Sequence, residues 1–265
     1  MPEGDTLFRT AQGLRPYLVG RDILAARAQG PGPVPQVQRI VGKRVDAVEA
    51  QGKNLLIRFD GGLEIRTHLR MNGSWHRYRP GERWRRPPGR ARLVLEVDGT
   101  VAVCFDAPVV ELFETRTEPL HPSLSRLGPD LLNPEFDAAE AHRRLRAPER
   151  AEMSISAALL DQRALAGIGN IWRNETLFAE RVDPFATVAS IDDTALDRLI
   201  ATARRLLVAS AGLAPGRAPV RVYRRAGRPC PRCGTTIRSA PLDGEVPRTT
   251  YWCPSCQSSG QGATG

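Results

Sequence analysis

The stretch LLIRFDGGLEIRTH, residues 55–68, decides the first half of the fold. Two runs rich in apolar and β-branched residues flank a Gly-containing turn, which is the pattern of a β-hairpin. The second run places Leu63, Ile65 and Thr67 on one face and three polar residues on the other. The sequence therefore predicts antiparallel β-structure here.

The same pattern continues on both sides of this hairpin. RLVLEVDGTVAVCF, residues 92–105, is a second predicted hairpin with its turn at Asp98-Gly99. We therefore expect an antiparallel β-sandwich from about residue 40 to residue 115. Ahead of it, residues 5–20 carry apolar side chains at helical spacing and predict an amphipathic helix. Those side chains are Leu7, Phe8, Ala11, Leu14 and Leu18.

The second half of the chain has a different pattern. Helical periodicity predicts helices in SISAALLDQ, residues 154–162, at about residues 171–180, and after a capping pattern at Ser190–Asp193. These patterns predict an α+β protein of two domains. The expected segments are a β-sandwich domain (1–115), a Pro-rich linker (116–134), a helical domain (135–224), a Cys-rich segment (225–258) and a disordered tail (259–265).

The charge of the chain favours a polyanionic partner. Lys and Arg together number 38 against 29 Asp and Glu, which gives a net charge of +9. Nucleic acid is the commonest polyanion in a cytoplasm. No apolar run is long enough for a membrane span, and the first ten residues do not resemble a signal peptide. We expect a soluble cytoplasmic protein. Only Lys43 and Lys53 are lysines, so each is a candidate for a role that needs an amine.

Four cysteines have the spacing of a metal site. Cys230, Cys233, Cys253 and Cys256 form the pattern C-x2-C-x19-C-x2-C, which is typical of a structural zinc ion held by four thiolates. The alternative is a pair of disulfides. The fifth cysteine, Cys104, lies in a predicted strand and is expected to be a small buried apolar residue.

The segment between the two cysteine pairs predicts a further hairpin. GEVPRTTYWC, residues 244–253, is expected to present Arg248 and the hydroxyls of Thr249 and Thr250 at its tip. Arginine in such a position suits contact with phosphate. The alternative is a solvated surface arginine.

The start of the chain, Met-Pro-Glu, contains two residues that could take part in catalysis. Removal of Met1 would leave Pro2 with a secondary amine, whose adduct with an aldehyde is an iminium cation. Glu3 beside it could move protons. Taken alone, this start is also common in proteins that have no such chemistry.

Several motifs in this order resemble the formamidopyrimidine-DNA glycosylase and endonuclease VIII family of base-excision repair enzymes. They are MPEGDT (1–6), QGKNLLIRF (51–59), THLRMNGSW (67–75), LGPDLL (127–132), LLDQRALAGIGNIWRNETLF (159–178), VYRRAGRPCPRCG (222–234) and YWCPSC (251–256). The resemblance implies an N-terminal β-sandwich with one long helix, a helical domain with a helix-two-turns-helix motif, and a zinc finger with one structural Zn²⁺.

The resemblance also implies roles for individual residues. Pro2 would be the Schiff-base nucleophile and Glu3 the proton donor at the sugar. Lys53 would contact phosphate and donate a proton during β-elimination. Asn170 and Arg248 would bind the phosphates beside the lesion, with Arg248 a further candidate proton donor in δ-elimination.

A flipped base leaves a gap in the duplex, and the resemblance assigns a loop to fill it. Arg70, Met71 and Asn72 match this loop, with Met71 the candidate inserted side chain. The alternative is that Met71 belongs to the core at a strand end.

Two departures from the oxidised-purine branch favour the endonuclease VIII branch and oxidised pyrimidines. Residues 106–113, DAPVVELF, lack the Arg-Phe pair of that branch, and residues 208–224 are too short for its lesion-covering loop. We expect a bifunctional glycosylase and abasic-site lyase that acts on damaged double-stranded DNA as a monomer, in the bacterial cytoplasm with the nucleoid. The alternatives are an oxidised-purine glycosylase, an enzyme that is mainly an abasic-site lyase, and a non-catalytic zinc-dependent DNA-binding protein.

Overall fold

A computed structural model of the protein describes residues 2–31, 33–242 and 248–258. The chain forms two compact units, Met1–Ser125 and Arg126–Gly265, and each has its own apolar core. The tail predicted to be disordered, 259–265, lies outside the described residues.

The described residues of the first unit form one long helix and eight strands. Helix α1 spans Gly4–Leu18. The strands in chain order are β1 (Ala25–Ala28), β2 (Val45–Gln51), β3 (Asn54–Phe59), β4 (Leu63–His68), β5 (Ser74–Tyr78), β6 (Ala91–Val97), β7 (Thr100–Phe105) and β8 (Val109–Glu114). They form two antiparallel sheets with the orders β1-β6-β7-β5 and β2-β3-β4-β8.

One apolar core joins both sheets and α1, which confirms the predicted sandwich. Leu7, Leu14 and Leu18 of α1 are buried in it, whereas Phe8 is only half-buried. Both predicted hairpins are present, as β3-β4 and β6-β7. Strand β1 was not predicted, because its sequence, AARA, is too short and too weakly apolar to show a period of two.

The polar face of β4 is buried rather than exposed to water. Arg58 of β3 pairs across the strands with Glu64, whose side chain is fully buried, at 3.0 Å from Nε to Oε2. A short 3-10 helix, Thr115–Leu120, follows β8 and brings Glu118 to within 3.0 Å of the same guanidinium. Glu49 on the neighbouring strand also pairs with Arg58. The start of the predicted linker thus covers this sheet.

Because Glu64 is buried, its proton affinity changes on folding. Burial raises the pKa of Glu64 to about 7, with Arg58 opposing the rise and Glu118 adding to it. The folded state therefore keeps the Glu64 proton to higher pH than the unfolded state does. The stability that this protonation contributes is lost as pH rises from about 4.5 to about 7. Glu64→Gln removes the titration. We expect its stability relative to wild type to rise across this window by up to about 3 kcal/mol.

Urea unfolding at the two ends of this pH window measures the effect. Glu49→Gln is the matched control, since Glu49 binds the same guanidinium but its side chain is 48% exposed. This variant should change the pH dependence of stability little. Parallel profiles for wild type and Glu64→Gln would contradict the prediction.

In the second unit, the part of the chain that the structure describes forms four α-helices and a two-stranded sheet. They are α2 (Ala138–Leu145), α3 (Ile155–Ala158), α4 (Asn170–Ala179), α5 (Asp193–Ala211), β9 (Arg238–Leu242) and β10 (Arg248–Trp252), with β9 and β10 antiparallel. Leu131, inside the predicted linker, is fully buried in the helical core. The second compact unit begins at Arg126, within the segment predicted as a linker. None of the described helices combines the length and the apolar character needed to cross a bilayer.

Two local expectations in this unit need correction, and one helix was not predicted. SISAALLDQ contains only the four-residue helix α3, because its chain turns after Ala158. Asp192, not Ser190, caps α5, with its carboxylate accepting the N–H of Ala195 at 2.8 Å. Helix α2 was not predicted, since only Ala141 and Leu145 of its eight residues are buried.

Candidate active site

The candidate nucleophile directly precedes the first helix. Glu3 is the N-cap of α1, and its carbonyl accepts the N–H groups of Thr6 and Leu7 at 2.9 and 3.1 Å. Glu3 is only 1% exposed, whereas Pro2 is half-buried. The positive end of the helix macrodipole thus lies next to Pro2.

The candidate lysine sits on a tight turn. Gly52 and Lys53 join β2 to β3, and Gln51 and Asn54 on either side are paired. Gly52 has a φ of 58°, a conformation that glycine adopts without a steric penalty. The turn fixes the backbone of Lys53, whose side chain is half-buried.

Helix α1 runs antiparallel to β2, and this brings its start to the Lys53 turn. The N–H of Gly20, just beyond α1, donates to Val45 O at 2.8 Å, and Arg15 Nε donates to Val48 O at 3.2 Å. Eleven residues back along the helix from Arg15 cover about 16 Å. Five residues forward along the strand from Val48 cover the same distance, about 16 Å, and end at Lys53. The two groups therefore occupy the same end of the first unit.

The candidate insertion loop lies at this end as well. Asn54 pairs with His68, so the loop Leu69–Gly73, here called the insertion loop, follows directly beside the Lys53 turn. Met71 is 54% exposed, which excludes the alternative that it belongs to the core. Arg70 and Asn72 are exposed.

His68, at the base of the insertion loop, was not predicted as a site residue. Burial, together with the nearby cations Arg66, Lys53 and Arg70, lowers the pKa of His68 to about 4. The imidazole is therefore neutral at neutral pH, and its Nδ1 accepts the N–H of Arg70 at 3.2 Å. A histidine at a strand end offers no sequence pattern that distinguishes this role.

In the second unit, Asn170 lies at the start of α4 and contacts the cysteine-bearing segment. It is 9% exposed, and its Nδ2 donates to the carbonyl of Thr249 at 3.1 Å. Thr249 follows Arg248 in β10. The structure thus brings Asn170 and the Arg248 segment together, as the site prediction requires of this unit.

A buried arginine reinforces that junction. Arg173 is fully buried, and its guanidinium donates to Asn170 Oδ1, to Thr249 O at 3.2 Å and to Thr250 Oγ1 at 3.0 Å. Asn174, one residue further along α4, accepts the N–H of Tyr251 at 2.7 Å. Sequence reasoning missed this pair, although the spacing of Asn170, Arg173 and Asn174 places three polar side chains on one helix face.

The predicted hairpin tip needs one correction. Thr250 is fully buried, and its hydroxyl accepts a hydrogen bond from Arg173. It is therefore not part of an exposed tip. Arg248 is half-buried and pairs with Leu242 at the last described rung of the β9-β10 ladder. Residues 243–247, which include the first four residues of the predicted hairpin, lie outside the described part of the chain.

The four predicted metal ligands converge. The sulfur atoms of Cys230, Cys233, Cys253 and Cys256 all lie within 4.8 Å of one another, and all are free thiols. Individual Sγ separations are 3.4 Å for Cys233 and Cys256, 3.5 Å for Cys233 and Cys253, and 4.0 Å for Cys230 and Cys256. Tetrahedral thiolates around zinc lie about 3.8 Å apart. The cluster therefore fits a metal ion with four sulfur ligands.

This metal cluster shares its core with α4. Cys230 and Cys253 pack in one buried group with Phe178 of α4, Val222 and Ile237. Arg232, between the first two cysteines, donates to the carbonyl of Phe178 at 3.1 Å. A structural ion at this position would therefore fix β10 against α4.

Comparisons with known proteins agree with this arrangement. Residues 1–108 match the formamidopyrimidine-DNA glycosylase N-terminal domain, and residues 127–217 match the formamidopyrimidine-DNA glycosylase H2TH domain. The first match covers the sandwich unit up to the end of β7. The second covers all four helices.

Named relatives match nearly the whole chain. A probable endonuclease 8 2 of Streptomyces coelicolor is 40% identical, with 97% of this chain and 94% of the relative aligned. A DNA-(apurinic or apyrimidinic site) lyase Nei2 of Mycolicibacterium smegmatis is 37% identical over 97% of this chain and 99% of its own length. The crystal structure of Lactococcus lactis formamidopyrimidine-DNA glycosylase bound to DNA containing an abasic site has the same fold. Its TM-score is 0.84 at 22% identity, with 97% of this chain and 99% of that chain covered.

Proposed function

The chain belongs to the formamidopyrimidine-DNA glycosylase and endonuclease VIII family, and on that premise we propose that Pro2 is its catalytic nucleophile. The protein is a base-excision DNA glycosylase with abasic-site lyase activity. Each step of that chemistry has a candidate residue in this chain.

The proposed reaction begins when the Pro2 amine, exposed by removal of Met1, attacks C1′ of the damaged nucleotide. The bond between C1′ and the base breaks, and the base leaves with the proton lost from the Pro2 nitrogen. The C1′–O4′ bond then breaks as O4′ takes up a proton, and the opened sugar is held as an iminium on Pro2. The iminium acidifies the C2′ hydrogen, so loss of that proton expels the 3′ phosphate. A second elimination expels the 5′ phosphate, and water then releases the sugar fragment and restores the amine.

The observation that carries this proposal is the convergence at one end of the first unit. The start of α1, the Lys53 turn and the insertion loop all lie there. Glu3, buried and adjacent to Pro2, is proposed to supply and remove protons at the sugar. Lys53 is proposed to contact phosphate and to donate a proton during β-elimination.

The second unit is proposed to bind the phosphates that flank the lesion. Asn170 binds the carbonyl of Thr249, which is the residue after Arg248 in the chain. The Asn170 amide and the Arg248 guanidinium would therefore approach the same stretch of the DNA backbone. We propose Zn²⁺ as the ion of the four-cysteine cluster, because four thiolates in a closed tetrahedral set are typical of structural zinc.

Oxidised pyrimidines are the proposed substrate class. Asp106 directly follows β7 and forms ion pairs with Arg86 and Arg90, at the start of the stretch 106–113 in which the oxidised-purine branch would be expected to carry its Arg-Phe pair. The connection after α5 is also short and closely held. Glu175 of α4 accepts the backbone N–H groups of residues 221–223 at 2.7 to 3.0 Å, which leaves little chain to cover a large flipped purine.

A panel of duplexes tests this assignment. We expect single-turnover excision of thymine glycol to be at least about tenfold faster than excision of an oxidised guanine, a difference of about 1.4 kcal/mol in activation free energy. A duplex with a preformed abasic site serves as the control for lyase competence. Faster excision of the oxidised guanine would overturn the substrate class and leave the nucleophile assignment standing. Cleavage of the abasic duplex alone would make the protein mainly a lyase.

A further inference from the structure

The insertion loop is a tightly closed turn whose base is fixed. The N–H of Gly73 donates to the carbonyl of Leu69 at 2.9 Å, and Leu69 is 2% exposed. A Cβ at Gly73 would lie 2.6 Å from that same carbonyl oxygen, so the closure requires glycine. Arg70 has a φ of 44°, in the left-handed region. Arg70, Met71 and Asn72, between these two ends, are exposed, so a contact from another segment can hold the loop further.

One such contact comes from Arg86, which is distant in sequence. Its guanidinium NH1 donates to the carbonyl of Asn72 in the insertion loop at 3.2 Å. The same nitrogen pairs with the carboxylate of Asp106 at the end of β7. A single guanidinium thus links the loop to the first sheet through charge-assisted hydrogen bonds.

Asp106 is a firm attachment point for this link. Its backbone has a φ of 53°, which aspartate tolerates better than most residues, and its N–H donates to the carbonyl of Arg90 at 3.0 Å. Arg90 Nε binds the other carboxylate oxygen at 2.7 Å. Partial burial opposes ionisation, but the hydrogen bonds from Arg90 and Arg86 outweigh it and hold the pKa of Asp106 below its ordinary value.

The segment that carries Arg86 is itself attached to the core. The ring of Trp84 contacts Phe105 edge-on, with centroids 5.8 Å apart, and stacks with Tyr78 at 6.1 Å. The N–H of Arg85 donates to the Tyr78 hydroxyl at 3.1 Å. Because both its backbone and its carboxylate partner are fixed, Arg86 can hold the loop rather than follow it.

We infer that Arg86, held by Asp106, is a positioning residue that sets the insertion loop for entry into the duplex. This inference rests on the proposed function, in which Met71 fills the gap left by a flipped base. Unstacking a base costs energy, and a loop that must order itself at the same moment adds to that cost. A loop already held at Asn72 avoids the second cost, so the effect is confined to substrates whose base must be extruded.

Arg86 and Arg90 provide a matched pair for the test. Both arginines bind the Asp106 carboxylate. Of the two, Arg86 is the one with a hydrogen bond to the insertion loop in the described part of the chain. We expect Arg86→Ala to slow excision of thymine glycol from duplex DNA by about 10- to 100-fold, as for loss of a hydrogen bond to a charged group. Arg90→Ala should stay within about threefold of wild type. Both variants should cleave a preformed abasic site in single-stranded DNA at the wild-type rate, because no base is extruded there.

Two further readouts separate positioning from general loss of structure. The fluorescence of 2-aminopurine beside the lesion should rise more slowly on mixing with Arg86→Ala than with Arg90→Ala, since it reports unstacking directly. Arg86→Lys, which keeps a cation and a donor, should recover part of the excision rate. If Arg86→Ala does not fold, Asp106→Asn replaces it and should show the same selective slowing.

The outcomes are distinguishable. Equal excision rates for Arg86→Ala and Arg90→Ala, or equal slowing on duplex and single-stranded substrates, would overturn the positioning role while leaving the proposed function intact. Wild-type protein that leaves both substrates uncut would overturn the proposed function and the inference with it.

Discussion

A form of the protein that retains extra residues ahead of Pro2 is expected to lose abasic-site cleavage by at least about a thousandfold. The nitrogen of Pro2 would then be part of a peptide bond, and its lone pair would be delocalised into the carbonyl and unable to attack C1′. The surroundings of the site would stay intact, because Glu3 and the start of α1 depend on backbone hydrogen bonds that do not involve Pro2. The measurement is borohydride trapping on a duplex with one abasic site, followed by mass spectrometry of the joined peptide.

The control for this experiment is the same extended protein after cleavage to expose Pro2, which should regain trapping. Pro2→Gly provides a graded comparison, since a primary amine still forms an imine but lacks the obligate iminium of a secondary amine. Trapping by the extended form at the rate of the processed form would contradict the assignment. The nucleophile would then have to be sought elsewhere, with Lys53 as the first candidate.

Cys253→Ala is expected to abolish metal binding by the four-cysteine cluster and to weaken binding to abasic-site DNA by at least about a hundredfold. Cys253 is fully buried, and its chain continues from β10, which carries Arg248 and the carbonyl that Asn170 binds. Metal binding by such a cluster contributes on the order of 10 kcal/mol to folding of the segment. Without it, both proposed phosphate-binding residues lose their common support.

Zinc content by atomic spectrometry and DNA affinity by fluorescence anisotropy measure this effect. Cys104→Ala is the matched control, because Cys104 is equally buried but lies in β7 of the other compact unit. Among the described residues, the group that could hold a metal ion consists of the other four cysteines and does not include Cys104. One zinc per chain and unchanged DNA affinity in Cys253→Ala would contradict the role given to the cluster.

Periodic and spaced patterns explain why much of this protein could be predicted from its sequence. The β3-β4 and β6-β7 hairpins follow from alternating apolar residues around Gly-containing turns, and α1 follows from its apolar stripe. The four thiols follow from their spacing alone, since each pair needs only one tight turn to bring its sulfur atoms together.

Contacts between distant segments explain what the sequence could not predict. Nothing near Glu64 in the sequence indicates that Arg58 and Glu118 would surround it in a buried cluster. The link from Arg86 to Asn72 likewise joins two loops that no periodicity relates. Helix α2 has too few buried residues for its pattern to stand out. The Glu64 cluster and the contact between Arg86 and Asn72 depend on polar residues that the tertiary structure brings together, and apolar periodicity does not reveal such pairs.

The burial of Arg173 has a consequence for how this protein can change. The two terminal nitrogens of its guanidinium donate to Asn170 on α4, to the residue pair Thr249 and Thr250, and to Ser156 in α3. A cysteine-rich segment transplanted from a relative would leave an unpaired buried cation unless it supplied matching acceptors. The helices of the second unit and the cysteine-rich segment therefore depend on each other's residues and should be exchanged together. Chimaeras that divide it between parents should fail to fold, whereas those that exchange the whole of Arg126–Gly265 keep the network together.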